Sequence, residues 1–238
     1  MAHDTEKLWI RGGWARGSQE RRAKERVLLR LAAVCGLLVP VTVAAALVFG
    51  GLAQRDAFSS ADDAISDLGA DTASSPWIYN QIGTNLTGIL LFTFALGLWR
   101  VVSPDVLGRI GAGLLLLLGV TLFLEGFFTL DCQGIDTGCE NTSWQSEGHR
   151  WVHRLTTIAS FAAPIALAFA FRRIPAWRNT WLPTLAAVPV VIAVSIVFSA
   201  FGAGASTRAG GVAWFIWLAF IALRLLQKSD SRAIVTEG

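Results

Sequence analysis

Residues 27–52 read VLLRLAAVCGLLVPVTVAAALVFGGL, an apolar run in which Arg30 is the only charged residue. A helix needs about 20 mainly apolar residues to cross the bilayer core of about 30 Å. The run therefore predicts a membrane-spanning helix. The whole chain is 53% hydrophobic and 16% charged, with a mean hydropathy of +0.52. Soluble domains carry about 25% charged residues, so this composition argues against a water-soluble fold.

Five further apolar runs of similar length follow, and each is apolar on nearly every face. Such helices fit lipid better than a protein surface in water. The connections are too short for a separate soluble domain. We therefore predict an all-α, polytopic six-transmembrane-helix bundle over residues 27–228, preceded by a basic segment, 1–26, and followed by a tail, 229–238. The predicted spans are 27–52, 77–98, 107–128, 151–171, 181–202 and 209–226.

The basic residues are distributed very unevenly between the two faces that six spans would create. Sixteen of the twenty lysines and arginines fall on the face that carries both chain ends. The positive-inside rule then places both termini in the cytoplasm of a cell-membrane protein. We interpret the basic excess as topology and attraction to anionic lipids, and we expect no nucleic-acid partner. The opposite face keeps Arg55, Arg150, Arg154 and Arg208, against ten acidic residues.

Two cysteines lie close together in the acidic loop between the third and fourth spans. Cys132 and Cys139 are separated by six residues that include two glycines. On the predicted topology this loop faces an oxidising compartment, which favours a small disulfide ring. A thiolate metal pair is the alternative, although this separation is longer than the usual spacing in zinc sites.

Two of the three histidines lie four residues apart, where the acidic loop enters the fourth span. The spacing of His149 and His153 puts both imidazoles on one face of a helix. Asp131 and Glu125 lie at the end of the preceding span. If these spans pack side by side, two imidazoles and one or two carboxylates converge. These side chains are candidate ligands for one divalent metal ion, zinc before others.

The first outer loop and the start of the second span carry further polar residues. Asp67 lies in a loop segment that mixes Leu and Ile with Ser, Asp and Gly, which predicts a turn folded back onto the bundle. Asn80 and Thr84 fall on one stripe in the outer half of the second span. Buried amides and hydroxyls in lipid normally face a bundle interior or a wet cavity. The stripe therefore predicts either a substrate cavity or hydrogen bonds between helices.

Several short motifs together resemble the six-span bacterial membrane family called domain of unknown function 998. They are Ser66 to Gly69, Asn80 to Gly88, Asp131 after span three, the histidine that opens span four, and Gly204 to Arg208 before span six. The resemblance covers most of residues 27–228 and implies fold and topology.

The chain is more distantly similar to membrane hydrolases of the alkaline ceramidase and progestin-adiponectin receptor type. Those hold zinc with an His-x3-His pair, another histidine, and nearby Ser and Asp. This resemblance implies a catalytic role for Ser66 beside the metal. The chain departs from the pattern because its third histidine, His3, falls on the predicted cytoplasmic side.

Two hypotheses from different classes follow. The first is a metal-dependent hydrolase or transferase that acts on a lipid or lipid-linked substrate at the outer leaflet. His149, His153 and either Asp131 or Glu125 would be the ligands. Glu125 or Asp67 would be the general base, and Arg154 or Arg208 would hold an anionic headgroup. The second hypothesis is a noncatalytic membrane protein that binds a lipid or a partner subunit, with the histidines in a structural polar network.

Overall fold

The structure is a computed structural model that describes the backbone of residues 3–54 and 58–234 and the side chains of residues 19–54 and 58–230. Within these ranges the chain is helical without β-strands, and six helices are long and apolar enough to cross a membrane. The predicted all-α six-helix bundle is therefore confirmed. The long helices are α1, His3–Leu52; α2, Thr87–Val102; α3, Val106–Glu125; α4, Trp144–Arg173; α5, Trp181–Phe198; and α6, Ala203–Ile234.

Three predicted features fall at least partly outside this description. The side chain of His3 and the outer Arg55 are not among the described groups, and neither are residues 235–238 of the predicted tail. The part of the basic segment that is described, from His3 onwards, continues into the first span as one helix, α1.

The fourth and sixth spans begin earlier than predicted, α6 at Ala203 instead of residue 209, and the second span begins with a different kind of helix. A π-helix, Ile78–Leu86, precedes α2 and is continuous with it. Helix α4 begins at Trp144 instead of residue 151, because the Ser143 hydroxyl accepts a hydrogen bond of 3.1 Å from the Ser146 amide and caps the helix. Both predicted histidines therefore lie within α4, beyond its first turn.

The helices pack in a closed ring in which each contacts its chain neighbours and α1 also contacts α6. Glycines let α2 and α3 approach at backbone distance. A Cβ atom on Gly88 would lie 2.6 Å from the Gly119 carbonyl oxygen, so neither position accepts a side chain without a shift. At the centre of the bundle Phe94 is fully buried, and at one end the Phe171 and Trp177 rings stack 4.7 Å apart.

Polar contacts distinguish the two ends of the bundle. At the end near the termini, Arg30 of α1 forms a 2.7 Å ion pair with Asp230 of α6. Near the same end, Arg173 of α4 lies 3.6 Å from Asp105, which caps α3. The three loops 53–77, 126–143 and 199–202 close the opposite end.

The first two of these loops are bonded to each other, and the first is also bonded to the start of α6, in a single polar layer. The buried Gln133 donates from its side-chain amide to Gln54 Oε1 at 2.9 Å and to the Asp67 carbonyl oxygen at 3.0 Å. The Ala205 amide donates to the Ala61 carbonyl oxygen at 2.7 Å. The predicted disulfide between Cys132 and Cys139 is present in this layer. The layer fixes the surroundings of the histidine pair.

Candidate metal centre

Glu125, His149 and His153 bring three potential metal ligands together between α3 and α4. One ligand atom from each residue lies within 4.8 Å of the other two. Glu125 and His149 are buried, with 5% and 7% of their surfaces exposed, whereas 61% of the His153 side chain is exposed. We call these three residues the His/Glu cluster. It has two nitrogen donors and one oxygen donor, with one side open.

The orientation of His149 is fixed by the loop that precedes α4. Its Nδ1 lies 2.8 Å from the Phe128 carbonyl oxygen. A carbonyl oxygen only accepts, so Nδ1 carries the proton and Nε2 keeps its lone pair. Gly148 makes this contact possible, because a Cβ atom there would lie 2.4 Å from the Phe128 ring. Metal-binding histidines are commonly oriented by such a second hydrogen bond.

Glu125 is the last residue of α3 and faces α4. Its Oε1 lies 3.9 Å from Nδ1 of His153. One turn below, the Thr156 hydroxyl donates to the Thr121 hydroxyl oxygen at 2.8 Å, which ties the same two helices together. The His149 and His153 rings are nearly parallel, with centroids 6.0 Å apart. Their predicted position on one helical face is therefore confirmed.

Asp131, which the sequence predicted as a metal ligand, is not part of the His/Glu cluster. Its carboxylate accepts hydrogen bonds from the Ser143 hydroxyl and, at 3.0 Å, from the Ser143 amide. These bonds lower the pKa of Asp131. Asp131 thus ties the disulfide loop to the start of α4. Of the two carboxylates that the sequence offered, the structure brings Glu125 to the imidazoles, because α3 ends before Asp131.

Ser66 and Asp67 lie in a short 3-10 helix, Ile65–Gly69, in the first outer loop. Asp67 is buried, and burial raises the pKa of its carboxyl group, while a hydrogen bond from the Gly134 amide opposes that rise. Ser66 is half-buried. Neither residue belongs to the His/Glu cluster, and their catalytic roles stay predictions.

The polar stripe at the start of the second span bonds to protein backbone. The Asn80 amide donates to the Gly69 carbonyl oxygen at 3.0 Å, and the Thr84 hydroxyl donates to the Asn80 carbonyl oxygen at 2.6 Å. Both side chains are buried. The Asn80 bond joins the second span to the first outer loop and the Thr84 bond lies within its own helix, so neither is the predicted hydrogen bond between helices. The substrate-binding roles of Asn80 and Thr84 stay untested predictions.

The two predicted headgroup-binding arginines have unlike surroundings. Arg154 is exposed, and its guanidinium lies over the Trp151 ring, 4.9 Å from the centroid. Arg208 is half-buried, and its Nη1 donates to the Asp63 carbonyl oxygen at 2.9 Å. Arg208 therefore belongs to the polar layer, and Arg154 belongs to the outer surface.

Tyr79 is a residue of this region that the motif analysis missed. Its hydroxyl faces the Glu125 carboxylate, and Arg208 is its other charged neighbour. The side chain starts from the π-helix Ile78–Leu86. Single turns of π-helix are frequent at functional sites, but no sequence pattern predicts them. The one sequence feature that sets this residue apart is that Tyr79 is the only tyrosine in the chain.

Comparison with known proteins identifies the family of the chain. A family model described as protein of unknown function (DUF998) matches residues 32–224, which is more than half of the sequence. The chain belongs to the DUF998 family. No curated protein and no solved structure shows a significant match. For this DUF998 protein the more distant likeness to the alkaline ceramidase type therefore stays a prediction from the sequence, and its chemistry is argued from its own residues.

Proposed function

We propose that the His/Glu cluster binds one divalent metal ion, zinc before others, and that this DUF998 protein is a hydrolase or transferase acting on a lipid or lipid-linked substrate. The observation that carries the proposal is the convergence of Glu125, His149 and His153 within 4.8 Å. Three nitrogen and oxygen ligands with a fourth position open are typical of catalytic zinc sites.

The fixed tautomer of His149 supports a metal in particular. With Nδ1–H bonded to the Phe128 carbonyl oxygen, the lone pair of Nε2 is left for a cation. A metal ion bound here would supply Lewis acidity and lower the pKa of a water molecule. In hydrolysis, that water provides the hydroxyl group of one product and the proton of the other. The exposed side of His153 gives a substrate access to the open position.

The proposed setting is the outer leaflet of the cell membrane, with both termini in the cytoplasm. Two features support this orientation. The basic residues concentrate at the end opposite the cluster. The Cys132–Cys139 disulfide lies on the cluster side, and disulfides persist in oxidising compartments.

A structural role is the second candidate, because the cluster also makes contacts that need no metal. Glu125 lies 3.9 Å from His153, and His149 is bonded to the Phe128 carbonyl oxygen. A buried polar network of this kind holds helices together in a membrane. In that case the open side would bind a lipid or a partner membrane protein without turnover.

Metal analysis of the purified protein separates the two candidates. We expect about one zinc per chain in wild type prepared without chelator, and much less in Glu125→Gln and His149→Ala. His3→Ala is the matched control, because it also removes an imidazole but lies on the predicted cytoplasmic side, and we expect it to leave the metal content unchanged. Wild type that holds no stoichiometric metal after growth with added zinc would contradict the proposal.

Turnover then tests the enzyme part of the proposal. Wild type loaded with zinc is incubated with total lipid extracts, and products are followed by mass spectrometry. We expect new lipid products with wild type and His3→Ala, and none with Glu125→Gln. Bound metal without any turnover, together with lower thermal stability of Glu125→Gln, favours the structural network.

A further inference from the structure

We propose that Arg208 forms a binding site for the phosphate group of a lipid, at the same end of the bundle as the His/Glu cluster. Arg208 lies near the start of α6, against the first outer loop. A Cβ atom on Gly204 would lie 2.6 Å from Nη1 of Arg208, so the glycine leaves room for the guanidinium. Nη1 donates to the Asp63 carbonyl oxygen, and the Phe58 ring centroid lies 6.0 Å from the guanidinium carbon. One side of the guanidinium is thus held in place by the protein.

The other side of the guanidinium makes no such contact. Nη2 of Arg208 is buried and has no hydrogen-bond acceptor among the described residues. A buried donor of a charged group without a partner is costly, and such groups are rare. An unused donor at a fixed guanidinium is therefore evidence for a ligand that accepts hydrogen bonds.

The nearby acids do not take this role. Asp63 and Asp67 both influence Arg208 electrostatically. However, the Asp63 carboxylate accepts a 2.6 Å hydrogen bond from the Ser59 amide, and the Asp67 carboxylate accepts one from the Gly134 amide. No ion pair within 4.0 Å joins Arg208 to a described carboxylate. Neither acid is within ion-pair distance of the guanidinium, which leaves Nη2 for an external anion.

Tyr79 connects this arginine to the His/Glu cluster. It lies close enough to both Arg208 and Glu125 to interact with each of them electrostatically. A fluorine label on Tyr79 is therefore placed to report an anion bound at Arg208. The forked guanidinium matches phosphate oxygens well, and its location at the loop end of the bundle is where lipid headgroups lie.

This site deepens the proposed function, because it names a lipid phosphate as the part of the substrate held beside the cluster. Binding at Arg208 does not itself require a metal. The two proposals can therefore fail separately, provided that phosphate binding is measured with a chelator present and zinc binding is measured without phosphate.

Fluorine NMR of protein labelled with fluorotyrosine gives a direct readout, because Tyr79 is the only tyrosine. The protein is held in an uncharged detergent with chelator, and is titrated with lysophosphatidic acid, inorganic phosphate or uncharged monoacylglycerol. We expect the single resonance to shift with lysophosphatidic acid and not with monoacylglycerol. An equal shift with inorganic phosphate would identify the phosphate group alone as the ligand, and no shift with either phosphate compound would overturn the site.

Arginine variants test whether Arg208 is responsible. We expect Arg208→Lys to weaken phosphate binding about tenfold to 100-fold, because lysine keeps the positive charge but lacks the paired donors of the guanidinium. The matched control is Arg150→Lys, because Arg150 is an exposed arginine at the same end of the bundle that pairs with Glu147, and its binding curve stays that of wild type. Equal affinity of Arg208→Lys and wild type would contradict the assignment. If zinc is added without phosphate, a shift of the fluorotyrosine resonance that is lost in Glu125→Gln reports zinc binding at the His/Glu cluster and not phosphate binding.

Discussion

Glu125 lies among the imidazoles because α3 ends at that residue. The helix keeps its carboxylate facing α4, whereas Asp131 lies beyond the turn and bonds to Ser143. The spacing of His149 and His153 was sufficient to predict their shared face, since it depends only on helical periodicity. The choice between the two acids depended on the end of α3 and on the Ser143 cap, and neither follows from spacing.

The Asp131 contact predicts an acid-dependent loss of stability. Its pKa is lower in the folded chain than the ordinary value of 3.8, because Ser143 donates to the carboxylate. The stabilisation is therefore present above the ordinary pKa and is lost as the pH falls through the lower, folded value. We expect Asp131→Asn to flatten the acid side of a thermal-unfolding profile recorded from about pH 6 to about pH 3.

The control for this prediction is the exposed Asp71 in the first outer loop. Asp71→Asn should keep the wild-type slope on the acid side, because among the described residues no hydrogen bond like that from Ser143 reaches the Asp71 carboxylate. Identical profiles for wild type and Asp131→Asn would show that the Ser143 contact does not act on stability.

At the scale of elements, apolar runs predicted all six helices, because crossing a membrane requires length and hydrophobicity that a sequence displays directly. Their first turns were less predictable. Helix α4 starts at a serine cap inside a polar loop, and the π-helix Ile78–Leu86 changes which residues face the bundle. Both depend on tertiary contacts, so Tyr79 could not be placed against Glu125 from its position in the sequence.

The close approach of α2 and α3 predicts a strong effect of a single methyl group. A Cβ atom on Gly119 would lie 2.8 Å from the Phe92 amide nitrogen, which is backbone and cannot move aside cheaply. We expect Gly119→Ala to lower the free energy of unfolding by about 1–3 kcal/mol, as overpacking does elsewhere. Reversible unfolding in mixed micelles measures the change.

Gly113→Ala on the same helix is the matched control. Its Cβ atom would meet only a Trp99 ring atom, at 3.4 Å, which is close to an ordinary van der Waals contact. The free energy of unfolding of Gly113→Ala should therefore be close to that of wild type. Similar losses for both variants would mean that the destabilisation is not due to the contact with α2.

At the scale of the whole molecule, two chemically different ends define the protein. One end carries the Arg30–Asp230 pair and most basic residues, and the other carries the disulfide, the polar layer and the His/Glu cluster. Charge counting predicted this division because it needs only the order of spans along the chain. It does not say which side chains meet at the loop end.

The proposed orientation predicts that the disulfide loop is accessible from outside the cell. In Cys139→Ser, the Cys132 thiol is released, and we expect a membrane-impermeant maleimide to label it on intact cells. Wild type serves as the control, because its remaining thiol, Cys35, is buried in α1. Labelling of Cys139→Ser only after the membrane is permeabilised would place the loop in the cytoplasm.

The central claim is that Glu125, His149 and His153 hold one metal ion, and zinc-edge X-ray absorption of the purified protein tests it most directly. The account predicts nitrogen and oxygen neighbours at about 2.0–2.1 Å with imidazole scattering, and no sulfur at about 2.3 Å. In Glu125→Gln the spectrum should change or the bound zinc should be lost. A sulfur neighbour, or the same first-shell spectrum and zinc content in wild type and Glu125→Gln, would contradict the claim.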